Sequence, residues 1–296
     1  MKTSNVEVIC PMITPFDGEG KPSRENLKVF LEDMKEFGIN KIFPLGSNGL
    51  FNLMTLETKK EFLKMIQDEA SDFEVLVGVG SQNTEEAREM AKYAEDLGFN
   101  KIVLQPTYYN RAEQSWIIRH FEAVSEVFSG KFYIYNIPQF TGSRVEIETM
   151  KSLVENIGRI EGIKDSSGDI RFFNEVASNF SDNLKVYQGQ DDLLLQALSI
   201  GAKGGVCGTT NINPLVTDVY KYFVDGNMTM ATKTQRIFNQ FFRMVNEYPF
   251  PAMVYAAFYR KHNIKGKLPD PITTIPKIVE SKIMDVLNYT THIEPQ

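Results

Sequence analysis

Residues 160–169 read IEGIKDSSGD, a short apolar run that ends in a lysine and then turns polar. Seven further apolar runs, mostly of β-branched or aromatic residues, occur along the chain, and longer amphipathic segments separate them. Such runs are typical of parallel strands that are covered on both faces by helices. The eight runs span residues 7–13, 41–45, 74–79, 101–105, 132–136, 160–164, 184–188 and 204–208.

Eight strand–helix repeats predict an α/β fold of the (β/α)8 TIM-barrel type rather than a doubly wound open sheet, which usually has about five or six strands. Ser23 and Thr55 stand where side chains would cap the first two helices. No change in composition marks a linker. We therefore predict a barrel over residues 1–227 and a C-terminal helical subdomain over residues 228–296, packed on the barrel as one structural unit.

The composition is that of an acidic globular protein, with a net charge of −6 and 42% hydrophobic residues. This charge argues against nucleic-acid and anionic-membrane partners, which bind basic surfaces. The first residues lack an apolar signal segment, and no apolar stretch reaches the length of about 18 residues that a membrane span requires. We expect a cytoplasmic protein in which Cys10 and Cys207, each within an apolar run, are buried and not disulfide-bonded.

Lys164 ends the sixth run, at the end of a barrel strand where this fold carries its catalytic groups. A lysine near a strand end more often packs its stem and extends its ammonium into solvent. We interpret Lys164 as a nucleophile because buried lysines are rare and because Gly162, on the same strand face, leaves room beside it. A lysine with the ordinary pKa of about 10.4 is neutral in roughly one molecule of 2,500 at pH 7. Burial disfavours the ammonium form and so favours an imine with a ketone.

Two other strand ends carry groups that suit this chemistry. Tyr135 ends the fifth run, next to the lysine strand, and its phenol is a candidate general acid or base, although strand aromatics are usually core residues. Residues 46–49, GSNG, follow the second run. This loop is either an ordinary turn or an anion-binding concavity, in which backbone N–H groups with Ser47 and Asn48 hold a carboxylate.

Five motifs stand in order along the chain: residues 11–16 (PMITPF), 46–49 (GSNG), 108–110 (YYN), 135–138 (YNIP) and 162–166 (GIKDS). Together these motifs resemble the dihydrodipicolinate synthase / N-acetylneuraminate lyase superfamily of pyruvate-dependent aldolases, over nearly the whole chain. The resemblance implies a covalent imine on Lys164 with no other cofactor and no metal. It also implies a homotetramer built as a dimer of dimers.

The resemblance also assigns roles to individual residues. Lys164 is the Schiff-base lysine and Tyr135 the proton-transfer phenol. Ser47 relays protons between Tyr135 and a tyrosine that a neighbouring subunit contributes. Tyr109 matches that tyrosine, and Tyr108 is the alternative. The substrate-binding positions that follow from the same resemblance are Gly46, Asn48, Gly189, Cys207 and Phe140.

Three departures from the family pattern bear on the substrate. Asn48 replaces the threonine that binds the pyruvate carboxylate, and an amide N–H can still donate to it. Phe140 replaces the arginine with which the lysine-biosynthesis enzymes bind their second substrate, which disfavours dihydrodipicolinate synthesis. Leu50 replaces the usual glutamate, as in archaeal-type 2-keto-3-deoxygluconate aldolases. We predict reversible cleavage of 2-keto-3-deoxygluconate, or a related 2-keto-3-deoxy sugar acid, to pyruvate and an aldehyde.

Several alternatives stay open at this point. N-acetylneuraminate lyase is the first alternative activity and 4-hydroxy-tetrahydrodipicolinate synthase the second, and acceptance of a 6-phosphate is undecided. A metal-dependent aldolase is disfavoured because none of the three histidines lies at a predicted strand end. A catalytically inactive sugar-acid sensor is disfavoured because Lys164, Tyr135 and Ser47 are all present.

Overall fold

Each of the eight predicted runs contains a strand in the computed structural model, which describes residues 7–272 and 277–289. Their shortness fits buried parallel strands, whose side chains are covered on both faces. Within the described residues the strands are β1 (Val8–Ile9), β2 (Lys41–Ile42), β3 (Glu74–Val75), β4 (Val77–Gly78), β5 (Lys101–Leu104), β6 (Lys131–Asn136), β7 (Ile160–Asp165), β8 (Lys185–Gln188) and β9 (Gly204–Val206).

Helices alternate with these strands, and side-chain caps start several of them. Ser23 and Thr55 accept hydrogen bonds from the backbone of Asn26 and Thr58, which confirms both predicted caps. The described helices are α1 (Arg24–Glu36), α2 (Leu56–Glu69), α3 (Thr84–Asp96), α4 (Gln114–Ser125), α5 (Pro138–Thr141), α6 (Ile147–Ile157), α7 (Ile170–Phe180), α8 (Leu194–Ser199), α9 (Leu215–Val224), α10 (Met228–Asn246), α11 (Ala252–Lys261) and α12 (Lys277–Leu287). None of the helices in the described ranges has the length and apolar character needed to cross a membrane.

The chain divides into two compact units: the first combines Met1–Glu74 with Cys207–Gln296, and the second is Val75–Val206. In the second unit, β4 to β9 form a parallel sheet in the order of the sequence. All these strands therefore end at the same edge of the sheet, which is where the lysine and tyrosine strands carry their polar residues.

The third predicted run, residues 74–79, is not one continuous strand. The backbone N–H of Glu74 donates to the carbonyl of Asn40 at 2.8 Å, whereas Val77 and Gly78 pair with β5. The first and second halves of this run thus bond to different neighbours, and the strand breaks at the buried Leu76. The prediction of a single strand here is wrong in that detail.

In the first unit, α11 packs against the segment that follows β1. The phenol oxygens of Tyr255 and Tyr259 accept hydrogen bonds from the backbone N–H groups of Thr14 and Phe16, each at 3.1 Å. These bonds satisfy two buried backbone donors that lie outside regular structure. Cys10 and Cys207 are buried and are not disulfide-bonded, as predicted.

Candidate active site

Lys164 and Tyr135 form a cross-strand pair in the second unit, at the ends of β7 and β6. The Lys164 amine, Nζ, lies 3.9 Å from the centroid of the Tyr135 ring. The two residues are only 5% and 3% exposed. The structure therefore brings together, in a largely desolvated place, the amine and the phenol that the sequence singled out.

Gly162 has a different role from the one inferred from the sequence. It is the register partner of Tyr133, and a Cβ built on it would lie 2.6 Å from Cε1 of the Tyr133 ring. The Tyr133 hydroxyl donates to Glu161 at 2.6 Å, which anchors the ring there. The space above Gly162 thus holds Tyr133, and the interpretation that it leaves room for Lys164 is wrong.

The loop that follows Lys164 is fixed from both sides. The side-chain amides of Gln139 and Gln190 donate to the Ser166 carbonyl at 2.8 and 2.9 Å. The Ser166 hydroxyl lies over Gly189, where a Cβ would be 1.9 Å from Oγ. Gly189, predicted as a substrate-binding position, must therefore lack a side chain for Ser166 to occupy this place.

One polar pair beside the lysine was missed by the sequence reasoning. The Asn136 side-chain amide donates to the Asp165 carboxylate at 2.6 Å, and both residues are buried. Burial raises the pKa of Asp165, and hydrogen bonds from Asn136 and Ser167 oppose this rise. The signal available in the sequence was the presence of polar residues at the ends of two adjacent strands, next to Tyr135 and Lys164.

The GSNG loop belongs to the first unit and forms a short 3-10 turn, Ser47–Gly49. Asn48 is 8% exposed, and no donor within the described residues reaches its side-chain oxygen. A Cβ on Gly208 would lie 3.3 Å from this amide, and one on Gly46 would lie 3.1 Å from the Phe43 ring. Both glycines therefore let the backbone lie closer to a neighbouring side chain than a residue with a Cβ could. The loop is a turn, and the unpartnered Asn48 oxygen can accept a hydrogen bond from a ligand.

The remaining predicted residues differ widely in exposure. Tyr109 is 91% exposed and has a φ of 79°, a left-handed conformation that tyrosine rarely adopts. Burial raises the pKa of the neighbouring Tyr108, whose side chain also bonds to Gln82. Phe140, on α5, is 53% exposed. Cys207 lies in the first unit, where its N–H donates to the Ile9 carbonyl at 3.0 Å.

Comparison with known proteins identifies the family. The model of the dihydrodipicolinate synthetase family matches residues 4–289. The chain is 39% identical to an uncharacterized DapA-like lyase of Thermoplasma acidophilum, over 94% of this chain and 97% of that one. It is 36% identical to the 2-dehydro-3-deoxy-D-gluconate/2-dehydro-3-deoxy-phosphogluconate aldolase of Picrophilus torridus, over 88% of this chain and 97% of that one.

A solved structure gives the same result for the fold. The 2-keto 3-deoxygluconate aldolase from Picrophilus torridus superposes with a TM-score of 0.87 at 36% identity, covering 91% of this chain and 97% of the other. This likeness supports the TIM-barrel fold class predicted from the eight repeats. With the match to the family model over nearly its whole length, the chain belongs to the dihydrodipicolinate synthetase family and is a carbon–carbon lyase.

Proposed function

We propose that the protein is a class I aldolase that cleaves 2-keto-3-deoxygluconate, or a closely related 2-keto-3-deoxy sugar acid, through an imine on Lys164. The observation that carries this proposal is the buried Lys164 amine, 3.9 Å from the centroid of the Tyr135 ring. An amine in such surroundings is partly stripped of water, which favours its attack on a carbonyl carbon. A phenol beside it is placed to exchange protons with the bound substrate.

The reaction balances with these two side chains, and the water released in the first step is replaced by one consumed in the last. The neutral Lys164 amine adds to the C2 ketone, Tyr135 gives its phenol proton to the departing hydroxyl, and water leaves, which gives a protonated imine and a phenolate. The phenolate takes the proton of the C4 hydroxyl, the C3–C4 bond breaks, and its electron pair moves into the imine as the aldehyde leaves. The Tyr135 phenol then protonates the enamine at C3. Water hydrolyses the resulting protonated imine, which returns one proton to the phenolate and releases pyruvate and the free amine.

The choice of substrate rests on Phe140 and on the comparisons. Phe140 is an exposed aromatic residue that cannot form a bidentate ion pair with a second carboxylate. The 36% identical relative of Picrophilus torridus is named for 2-keto-3-deoxygluconate and its phosphorylated form. N-acetylneuraminate cleavage and 4-hydroxy-tetrahydrodipicolinate synthesis remain the alternatives that a substrate panel must exclude.

For the other predicted residues the roles rest on the family resemblance. Ser47 relays protons, and the Asn48 side-chain N–H with the backbone at Gly46 binds the carboxylate. Tyr109 is the tyrosine lent to a neighbouring subunit of a homotetramer, and its exposed position on a left-handed backbone supports that use. Gly189 and Cys207 line the pocket, and the reaction uses no metal and no cofactor.

Reductive trapping tests the imine directly. The protein is incubated with pyruvate and borohydride, and digested peptides are analysed by mass spectrometry for a stable adduct on Lys164. We expect the adduct in the unmodified protein and its loss in Lys164→Met. A matched control is Lys151→Met, on the surface of α6, which should leave trapping unchanged. An active protein without an adduct at Lys164 would refute the imine mechanism.

A substrate panel then tests the specificity. It comprises 2-keto-3-deoxygluconate, its 6-phosphate, N-acetylneuraminate, and pyruvate with aspartate semialdehyde. We expect the first compound to have the highest kcat/KM, with activity retained in EDTA. Preferred turnover of the last pair would show that the interpretation of Phe140 is wrong.

A further inference from the structure

The strand ends that carry Tyr135 and Lys164 are joined by a second, fully buried contact. One residue further along β6 and β7, Asn136 and Asp165 are register partners. The Asn136 amide donates to the Asp165 carboxylate at 2.6 Å, and the two residues are 0% and 1% exposed. Because successive side chains on a strand point to opposite faces, this contact lies behind the pair of Lys164 and Tyr135.

Each partner is itself held in place. The Asn136 side-chain oxygen accepts a hydrogen bond from the backbone of Val145 at 3.0 Å, and its carbonyl accepts one from Ser166 at 2.8 Å. The second carboxylate oxygen of Asp165 accepts from the Ser167 hydroxyl at 2.8 Å. Neither side chain can therefore rotate without breaking further bonds in a buried place, where an unmade hydrogen bond is costly.

We propose that Asn136 and Asp165 are positioning residues: their hydrogen bond sets the separation of the strand ends and thereby the geometry of Lys164 against Tyr135. The proposal rests on the proposed function, since it assigns the catalytic roles to Lys164 and Tyr135. A misplacement of about 1 Å in a reacting pair can lower a rate roughly 100-fold, so a contact this close to the pair bears directly on turnover.

The chemistry of the contact offers a stringent test, because its donor and acceptor can be exchanged. In Asn136→Asp, two carboxylates face each other with no donor between them. In the double variant N136D/D165N, the amide at position 165 donates to the carboxylate at position 136. That carboxylate can still accept from Val145, and the new amide oxygen can accept from Ser167. The double variant thus restores the bond between the two side chains with the same net charge, and loses only the long 3.4 Å bond from the Ser167 backbone N–H.

The expected kinetic pattern separates positioning from folding. Asn136→Asp should lower kcat for cleavage of 2-keto-3-deoxygluconate by roughly 100-fold with a much smaller change in KM. The double variant should return kcat to within about tenfold of the unmodified protein. Such a recovery would show that the effects of the two substitutions on kcat are strongly coupled. A control is Val176→Ala, which truncates a buried side chain on α7 and should reduce stability while leaving kcat unchanged.

A milder variant covers the case in which Asn136→Asp does not fold. Ser167→Ala removes one bond to Asp165 and should lower the rate of borohydride trapping with pyruvate by about three- to tenfold. Two results would overturn the positioning role alone, provided that trapping at Lys164 occurs in the unmodified protein. One is an undiminished trapping rate in Asn136→Asp and Ser167→Ala, and the other is a kcat that the double variant N136D/D165N fails to restore. No trapping at Lys164 in the unmodified protein would overturn the proposed function, and the positioning role with it.

Discussion

Acidification should destabilise this protein through one buried histidine. His120, on α4, is 3% exposed, and its Nδ1 lies 3.0 Å from the Thr84 hydroxyl. Burial lowers the pKa of His120 from 6.5 to about 4. The folded state therefore keeps this side chain neutral at pH values where the unfolded chain takes up a proton.

The sign and the size of the effect follow from this pKa shift. Because the folded pKa lies below the unfolded one, the stabilisation is complete above pH 6.5 and is lost as the pH falls towards 4. At 1.36 kcal/mol for each unit of pKa, the full loss is about 3 kcal/mol, with a steepest slope of about 1.4 kcal/mol per pH unit. This is a large fraction of the 5–15 kcal/mol or so that stabilises typical domains.

Urea unfolding at several pH values between 7.5 and 4.5 measures this term. Carboxylates also titrate in this range, so the useful quantity is the difference in unfolding free energy between the unmodified protein and His120→Gln. Between pH 7.5 and 4.5 that difference should fall by about 2.5 kcal/mol, because glutamine does not titrate. The matched control is Val176→Ala, a buried residue on α7, whose difference from the unmodified protein should stay constant. A constant difference for His120→Gln as well would refute the assignment of a buried neutral histidine.

Three further substitutions test the packing around the site and in the first unit. Gly162→Ala places a Cβ 2.6 Å from the Tyr133 ring and 2.7 Å from the Lys185 carbonyl. The free energy of unfolding in urea should therefore fall by about 1–3 kcal/mol, and no loss would show that the ring moves freely. Gly189→Ala forces the Ser166 hydroxyl away and should lower kcat in the cleavage assay, with unchanged kcat as the contrary result. Tyr255→Phe leaves the Thr14 backbone N–H unpaired and should cost about 1–3 kcal/mol in thermal or urea unfolding, whereas an unchanged stability would mean that water replaces the phenol.

Much of this arrangement can be predicted from the sequence because it depends on local patterns. Apolar runs of strand length locate the nine described strands, two of which lie in one run, and the two-residue period places Tyr133 and Tyr135 on one face. Polar residues at the ends of such runs identify Lys164 and Tyr135 without any knowledge of their separation. None of these inferences requires the relative position of two strands, which is why a single sequence is sufficient for them.

The misinterpreted residues depend on contacts between strands. Gly162 was assigned to Lys164 because both lie on one face of one strand, but the residue that occupies its space comes from β6. The break at Leu76 likewise follows from the two different neighbours of that segment. Asn136 and Asp165 have ordinary residue types for strand ends, and only their 2.6 Å contact reveals a shared role. Hydrophobic periodicity does not determine which residues of adjacent strands face each other.

The register between β6 and β7 shows how one irregularity determines the candidate site. Phe132 pairs with Ile160, but Tyr133 pairs with Gly162, so that Glu161 is an extra residue on β7. Glu161 is anchored by the Tyr133 hydroxyl at 2.6 Å and by the Lys185 amine at 2.7 Å. Without the extra residue, Tyr135 would lie opposite Ile163 and Lys164 opposite Asn136, on the wrong side for proton transfer between them. The glycine after Glu161 is therefore required by the register that places Tyr135 opposite Lys164, because any larger residue there would meet the Tyr133 ring.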